Sequence, residues 1–434
     1  MKRWKYLPSF LATTAVVIAI AGVGVRPAAA RSTHAAVTLN FLYRITNPQD
    51  DQYEQWLVNT FNQQHQGKIT ISISGIPDNN YKAKINLVLR GRTAPDVFFS
   101  WEGGWAKYMI DSGYAQPLDT YYTKYHWSET LNPAANQLAT LEGHKYFVPY
   151  YMSASVIWYN TALYRKYGLS VPKTWSQLAA NVAVLKKHGV APFLLANQQQ
   201  WEAQFDWTGY FVNKYGVELY NKLLNRQIPW TDPRVVDTFA QMKRMQDNGW
   251  FLSGVNSMDF DTTAIIFWRR QQAAMWYQGS FIMSKFLNAQ NQLQYPVDWF
   301  PYPQIGNQKP TISVFAESTY MINKRSQHKD ETASFLNFVI SRQAQAMLVK
   351  MDGPFAANRA VPPTGEPPIV QRLGAVISSY KSPTFMHIDH ALSPNVSQPY
   401  LEALQAVLSG DTTPVKAAAT TEAAALRAQG PVKK

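Results

Sequence analysis

The first third of the chain alternates between two spacings of apolar residues. Residues 37–43 and 68–74 place an apolar side chain at nearly every second position, which predicts two β-strands. Residues 52–64 and 81–90 repeat apolar side chains every three to four positions, as amphipathic helices do. Residues 96–100 form a short apolar run bounded by proline and glycine, which indicates a buried parallel strand. Strands that alternate with helices predict an α/β lobe.

A tyrosine-rich run at residues 146–160 changes this pattern. The run has the composition of a strand and ends at Tyr159-Asn160. Soon afterwards Thr174 and Gln177 have the spacing of a helix capping box, and Pro172 breaks the chain just ahead of them. A strand followed by a well-defined helix start is how a backbone leaves one lobe and begins another, so we predict a hinge crossing here.

Helical spacing dominates the rest of the chain. Helices are predicted at residues 175–188, 205–215, 217–224, 235–248, 262–270, 280–289 and 328–347, then from residues 369 and 398, and at 414–429. Strands are predicted at residues 273–277, 297–303, 313–316 and 319–322.

Two later breaks accompany the first crossing, at residues 301–310 and 351–355. Three crossings imply two discontinuous lobes. We predict one lobe from residues 36–148 plus 304–350, and the other from residues 149–303 plus 351–430. About 400 residues also exceed what one hydrophobic core usually supports.

The N-terminal residues 1–30 have the pattern of a secretory signal. A basic start precedes an apolar run at residues 11–25 and a small-residue exit at residues 28–30. Cleavage after Ala30 is expected; an uncleaved membrane anchor is the alternative, because the apolar run is near the lower limit for spanning a bilayer. The mature protein is expected to be secreted, either periplasmic or extracellular at the cell surface.

Cysteine usage and charge exclude several classes of function. The sequence has no Cys, which excludes disulfides, zinc-thiolate sites, Cys nucleophiles and a lipid-modified Cys. The formal charge of +13 falls to +9 without the four bases of residues 1–30, and the remaining bases are scattered. Scattered bases do not form a nucleic-acid groove, so no nucleic-acid partner is expected.

Catalytic and metal motifs are also scarce. The sequence contains no phosphate loop, nucleophile elbow or HExxH motif. His387 and His390 flank Asp389 within one helical turn, a spacing that fits either a metal site or an ordinary polar loop; we expect the loop, and no metal or cofactor. A secreted glycoside hydrolase stays open as a rival, with Glu102, Glu202 and Glu317 as possible carboxylates, but no spacing requires it.

Several ordered motifs resemble the extracellular solute-binding proteins that serve ABC importers, in the sugar-binding branch that includes the maltose-binding protein. They are Gly-Arg-Thr-Ala-Pro-Asp at residues 91–96, Ser-Gly-Tyr-Ala-Gln-Pro-Leu-Asp at 112–119, Tyr159-Asn160, Pro172-x-Thr174-Trp175, and Gln272-Ala-Ala-Met275 with Gly279-Ser-Phe281. Two features depart from the family: the lipid-anchoring Cys is missing, and Phe281 stands where the family has Trp. Each motif is weak alone, whereas the ordered set spans nearly the whole mature chain.

The resemblance implies an α/β, two-lobe periplasmic-binding-protein-like fold of type II with hinge crossovers. It also implies a protein without enzymatic activity that closes on a carbohydrate, most simply an oligosaccharide, and delivers it to an ABC permease. We expect a monomer. A binding protein for a peptide or another non-sugar solute is the alternative.

A sugar site needs flat rings and a few hydrogen-bonding groups, because sugars present apolar faces and hydroxyl rims. Trp101 and Glu102 are the first candidates, since they follow the buried strand where α/β sheets expose binding loops. Trp201 interrupts a polar loop and could clamp a ligand. Trp207 is either a further clamp or a core residue of the next helix. Alternation puts Tyr151, rather than its neighbour, toward the cleft.

The remaining candidates lie near strand ends. Trp276, Gln278 and Phe281 surround a glycine where the family often supplies a stacking ring and a hydrogen-bonding side chain. Glu317 interrupts an apolar strand and could bind a hydroxyl or pair with a base. Tyr43 and Arg44, at the end of the first strand, complete the predicted ligand-binding set.

Overall fold

One mixed β-sheet runs through the protein, with helices packed on it. The computed structural model describes residues 36–433 except 262, 289, 354 and 380–384, and omits the side chains of residues 79 and 263; the predicted signal at residues 1–30 lies outside the described residues. The strands are β1 (Val37–Ile45), β2 (Ile69–Pro77), β3 (Val97–Ser100), β4 (Thr140–Leu141), β5 (His144–Lys145), β6 (Val148–Asn160), β7 (Ala191–Phe193), β8 (Ala273–Gly279), β9 (Val297–Phe300) and β10 (Ser313–Ile322).

Helices make up most of the remaining described elements. They are α1 (Pro48–Gln64), α2 (Asp78–Arg90), α3 (Gly103–Asp111), α4 (Asp119–Lys124), α5 (Trp127–Thr130), α6 (Pro133–Leu138), α7 (Thr161–Lys166), α8 (Trp175–Lys187), α9 (Ala203–Tyr215), α10 (Val217–Leu224), α11 (Pro233–Asp247), α12 (Thr263–Arg269), α13 (Met283–Phe286), α14 (Lys329–Val339), α15 (Arg342–Met351), α16 (Pro368–Ser379), α17 (Ile388–Ala391), α18 (Pro394–Ser409) and α19 (Pro414–Gln429). Single 3-10 turns occur at Val255–Ser257 and Ser280–Ile282.

The strand order of the sheet is β2-β1-β3-β10-β6-β8-β7, and β9 also pairs with β6. β1 lies parallel to both β2 and β3, as the sequence predicts. β10 runs antiparallel between β3 and β6, and so joins the parallel half to the rest of the sheet. The long strands β6 and β10 are buried along almost their whole length.

Three chain segments lie side by side where the sequence predicts crossings. β6 pairs with β10, whose register shifts between Ala316 and Thr319. The chain after α15 lies on β6: the Met152 amide donates to the Phe355 carbonyl at 2.8 Å and the Ala357 amide to the Tyr150 carbonyl at 3.2 Å. The predicted boundaries of the two lobes stay a prediction.

Two helix predictions differ from the structure. The predicted helix at residues 328–347 is two helices, because the Ser341 side chain accepts a hydrogen bond from the Ala344 amide and starts α15. The predicted helix at residues 280–289 is only a 3-10 turn and the short α13. Ser280 does not cap it, since the Ser280 hydroxyl contacts Ser153 Oγ at 3.0 Å and accepts from the Ala154 amide.

Aromatic side chains fill much of the core. Fully buried tryptophans include Trp127, Trp158, Trp207, Trp230 and Trp268. The predicted capping box is confirmed: Thr174 accepts from the Gln177 amide, and the Gln177 side chain accepts from the Thr174 amide. Within the described residues, no helix is both long and apolar enough to cross a membrane.

Candidate functional site

A cavity of about 580 Å³ lies at the carboxyl ends of the three parallel strands. Arg44, at the end of β1, Asp78, just after β2, and Trp101, just after β3, all line the cavity. Ligands of open α/β sheets bind outside the carboxyl ends of the strands, so the cavity is the candidate site. The opposite wall comes from residues 199–205, 387–390 and 394–401.

Aromatic rings form much of the cavity lining. They are Trp101, Trp105, Tyr151, Trp201, Phe205, Phe260, Phe281 and Phe315. Trp201 is the half-buried centre of one group, with its ring 4.9 Å from Phe260, 5.8 Å from Phe205 and 6.1 Å from Phe281. The Trp201 indole nitrogen donates to Gln199 Oε1 at 3.1 Å. These contacts fix the orientation of the ring and leave part of it open.

Trp101 is more enclosed than Trp201. The Arg44 guanidinium lies 5.1 Å from its ring centroid and the Lys82 ammonium 4.7 Å, both at cation–π distance. The Trp105 ring packs edge-on at 5.3 Å, and only 3% of Trp101 is exposed. Trp101 therefore supports two cations at the cavity wall.

Carboxylates surround the Arg44 guanidinium. Arg44 Nη1 lies 3.1 Å from Asp78 Oδ1 and Nη2 lies 2.8 Å from Glu317 Oε1. Burial raises the pKa of Glu317 to about 7, although Arg44 acts in the opposite direction. Asp50 and Asp352 line the same part of the cavity, and burial raises the pKa of both carboxyls.

A short polar segment at residues 387–390 forms the facing wall. Lys82 Nζ lies 2.9 Å from Asp389 Oδ2, which joins α2 to this segment across the cavity. His387 Nε2 lies 2.8 Å from Ser155 Oγ in β6. Burial lowers the pKa of His387 to about 3 and that of His390 to about 4, so both imidazoles are neutral near neutral pH.

The sequence-predicted metal alternative finds no support in this geometry. No group of three or more His, Asp or Glu side chains within the described residues could hold a metal ion. His387 instead bonds to Ser155, and His390 packs near the rings of Trp101 and Phe315.

The cavity brings together six of the predicted ligand-binding residues. They are Arg44, Trp101, Tyr151, Trp201, Phe281 and Glu317. Arg44 and Glu317, for example, are more than two hundred positions apart in the sequence and form an ion pair.

Five predicted residues lie behind the cavity wall rather than on it. Glu102 is fully buried and accepts from the Ala316 amide at 2.9 Å. Trp276 and Gln278 donate to Glu202 Oε2 at 3.2 and 3.0 Å. Trp207 is a core residue whose ring stacks 5.3 Å from Phe211.

Tyr43 is the fifth of these residues. It is buried, and its hydroxyl donates to the Asp51 carboxylate. All five side chains are buried and none lines the cavity, so the site proposed below does not include them.

Several cavity residues were missed by sequence reasoning. Asp50 lies in the first turn of α1, where an acidic residue is ordinary. In the sequence, Phe205, Phe260 and Phe315 look like core residues, because an apolar residue type does not indicate whether the side chain faces a cavity. Asp352 could have been found from the sequence, because it lies within the predicted third crossing.

The cavity at the strand ends, walled by elements far apart in the sequence, defines a protein that binds a small molecule. Residues 46–346 match the profile of a known family, and the chain belongs to the bacterial extracellular solute-binding proteins. It is 24% identical over 342 residues to an uncharacterized ABC transporter extracellular-binding protein of Pyrococcus horikoshii, covering 78% of this chain and 74% of that relative.

Solved structures share the fold. One, from work on xylan utilization by the thermophilic bacterium Caldanaerobius polysaccharolyticus, aligns with a TM-score of 0.81 and 22% identity over 89% of this chain and 99% of its own. A chitin oligosaccharide binding protein aligns with a TM-score of 0.79 and 21% identity over 89% and 98%. The predicted two-lobe α/β fold of periplasmic-binding-protein type is confirmed.

Proposed function

We propose that this solute-binding protein captures a carbohydrate, as a short oligosaccharide, in the 580 Å³ cavity and delivers it to an ABC import permease. The observation that carries the proposal is the wall itself, in which the half-buried rings of Trp201 and Phe281 share one cavity with carboxylates and amides. Rings stack on the apolar faces of sugars, while carboxylates and amides bind the hydroxyls. The cavity volume falls within the range of about 300–1,000 Å³ usual for small-ligand sites.

The polar rim supports the same ligand class. Gln398 donates to Gln200 Oε1 at 2.8 Å, and Gln200 donates to Gln405 Oε1 at 3.0 Å. Such connected amides keep both donors and acceptors available at the rim, as a ring of hydroxyls requires. Two similar structures, a chitin oligosaccharide binding protein and one from work on xylan utilization, agree with this class.

We propose Trp201 as the principal stacking ring. It is half-buried and held by Phe260 and Phe205, whereas the face of Trp101 is occupied by Arg44 and Lys82. A ring that covers about 80 Å² of apolar sugar surface contributes roughly 2 kcal/mol at about 25 cal/mol per Å². Loss of that ring corresponds to about a 30-fold weaker affinity.

The test is a thermal-shift screen of neutral mono- and oligosaccharides, followed by calorimetric titration of Trp201→Ala. We expect a carbohydrate to raise the melting temperature by mass action, and Trp201→Ala to weaken its binding about 30-fold. Trp299→Ala is the matched control, because Trp299 is also half-buried but lies outside the cavity wall, with its indole nitrogen bonded to the Ile369 carbonyl. Equal effects of the two substitutions, or no carbohydrate that shifts the melting temperature, would contradict the proposal.

Incubation with the same oligosaccharides tests whether the protein binds or hydrolyses them. A binding protein returns the oligosaccharide intact, whereas a glycoside hydrolase shortens it. We also propose that the mature protein is secreted, works as a monomer, and is retained without a lipid on Cys, since the sequence has no Cys. Light scattering with and without ligand checks the monomeric state.

A further inference from the structure

The charges that line the cavity are unbalanced. Among the described lining residues the acidic side chains are Asp50, Asp78, Asp261, Glu317, Asp352 and Asp389, and the cations are Arg44, Lys82 and Lys285. Each of these cations already faces a carboxylate. Arg44 pairs with Asp78 and Glu317, as described above, Lys82 with Asp389, and Lys285 with Asp261 at 3.1 Å.

Asp50 and Asp352 are the carboxylates left without a bonded cation. Asp50 accepts from the Thr46 amide at 2.9 Å and from the Thr46 hydroxyl at 2.7 Å. Asp352 accepts from Asn47 Nδ2 at 3.3 Å. The Asn47 side-chain oxygen in turn accepts from the Asp50 amide at 2.9 Å, so one asparagine links the two acids.

A tyrosine lies at the same end of the cavity. Tyr151 lines the cavity and is only 6% exposed, and its hydroxyl has no hydrogen-bond partner among the residues that the structure describes. A Cβ built on Gly353 would lie 2.2 Å from the Tyr151 oxygen, so the hydroxyl lies against the residue that follows Asp352 in the chain. A hydroxyl without a partner inside the protein is available to accept a hydrogen bond from a ligand in the cavity.

Carboxylates shielded from water that lack a cation are costly to ionise, and a ligand that brings a positive charge lowers this cost. A metal ion does not fit this end of the cavity, because no three acidic or His side chains of the described chain form a metal-binding group. An ammonium group has three N–H donors and requires only separate oxygen acceptors. Asp50, Asp352 and the Tyr151 hydroxyl supply three such acceptors.

We propose that the carbohydrate bound here is an amino sugar, whose protonated amine docks between Asp50 and Asp352 beside the Tyr151 hydroxyl. This proposal rests on the proposed function, because it places the amine at one end of the cavity in which the sugar rings stack. It also assigns Asp50 and Asp352 as residues that select the ligand by charge.

The first experiment compares sugars that differ only in the group at C2. Dimers and trimers of D-glucosamine, of N-acetyl-D-glucosamine and of D-glucose, all β-1,4-linked, are titrated into the full-length mature protein at pH 6.5 and low salt. We expect the free-amine sugars to bind at least tenfold more tightly than the acetylated and neutral sugars. Equal or tighter binding of the neutral or acetylated sugars overturns the charge assignment and leaves the carbohydrate function in place.

The second experiment tests the two acids. Asp352→Asn keeps the side-chain shape and is expected to weaken binding of the free-amine sugar at least tenfold more than binding of the neutral sugar, which removes the preference for the amine. Asp50→Asn, checked for folding by circular dichroism, is expected to do the same. The matched control is Asp261→Asn, a lining carboxylate already paired with Lys285, which keeps the preference. Retention of the full amine preference in Asp352→Asn and Asp50→Asn overturns the proposal.

Discussion

Glu202, the residue next to the proposed stacking ring, is a carboxyl buried without a base. Its Oε2 accepts from the Trp276 indole at 3.2 Å, the Gln278 amide group at 3.0 Å and the Ala196 amide at 3.2 Å, while Oε1 has no partner within the described residues. Burial raises the pKa of Glu202 to about 8. These bonds fix the loop that carries Trp201. Glu202, which lies behind the cavity wall, therefore positions Trp201, which forms part of that wall.

The raised pKa of Glu202 makes stability depend on pH. Between about pH 4.5 and 8 the native state holds the Glu202 proton while the unfolded state releases it, so the free energy of unfolding falls as pH rises through this window. Glu202→Gln removes this term. We expect the variant to gain stability relative to the parent by a few kcal/mol from pH 4.5 to pH 8.

Urea unfolding at several pH values, with the difference between the two proteins plotted against pH, measures this effect. The difference isolates Glu202 from the buried histidines His387 and His390, whose low pKa values act in the opposite direction. Parallel profiles for the two proteins would show that Glu202 does not carry a raised pKa.

Local sequence predicts single site residues only in part. Trp101 and Trp201 stand out because they interrupt polar or strand-end segments, and both line the cavity. Trp207 and Trp276 have the same residue type and similar neighbours but lie behind the wall. The difference is set by which partners the fold brings near each ring, and that information is not local.

At the scale of elements, the third crossing couples the hinge to the cavity. The segment after α15 follows β6, and Tyr151 packs directly against Gly353 there. The crossings were predicted from the sequence because Pro and Gly interrupt the apolar periodicity there. It did not reveal the break between α14 and α15, since one serine cap inside a continuous apolar stripe leaves the helical spacing intact.

Gly353→Ala tests this coupling. A Cβ at Gly353 would lie 2.2 Å from the Tyr151 hydroxyl oxygen and 2.4 Å from Cζ, so the Tyr151 ring must move from its place at the cavity wall. We expect ligand affinity to fall by roughly tenfold, or about 1.4 kcal/mol. Calorimetric titration with the sugar found in the screen measures it.

Gly374→Ala is the control for that substitution. A Cβ there would also be crowded, at 2.4 Å from Pro363 Cγ, but Gly374 lies in α16 and does not line the cavity. This variant should lose stability and keep its affinity. If Gly353→Ala also keeps its affinity, Tyr151 has no part in binding.

Across the whole molecule, an ion pair holds the two sides of the cavity together. Lys82 belongs to α2 and Asp389 to the segment before α18, and these lie in different predicted lobes. The strand order that creates this arrangement could not be read from the sequence, because β10 pairs with strands more than a hundred residues away. The fold class, by contrast, followed from alternating periods and the ordered motifs.

Asp389→Asn is expected to favour a more open molecule. An ion pair with one partly exposed partner contributes about 1 kcal/mol, which corresponds to roughly a fivefold shift between closed and open states. Small-angle X-ray scattering of the ligand-free protein should show a larger radius of gyration. Asp111→Asn, which removes the exposed partner of Lys107 within α3, changes the same charge and should leave the scattering curve unchanged. Identical scattering curves for Asp389→Asn and the parent would show that the Lys82–Asp389 ion pair does not favour the closed state.

The place of β10 in the sheet also sets an order of folding. β3 is made early, yet its neighbour β10 is synthesised only after most of the chain. Until then one edge of β3 carries unpaired amides and carbonyls, which is a template for unwanted pairing with another chain. Pairing across so long a separation also slows folding. The nascent protein will therefore depend on protection of this edge, and its yield in a heterologous host will depend on chaperones that hold the early strands apart until β10 arrives.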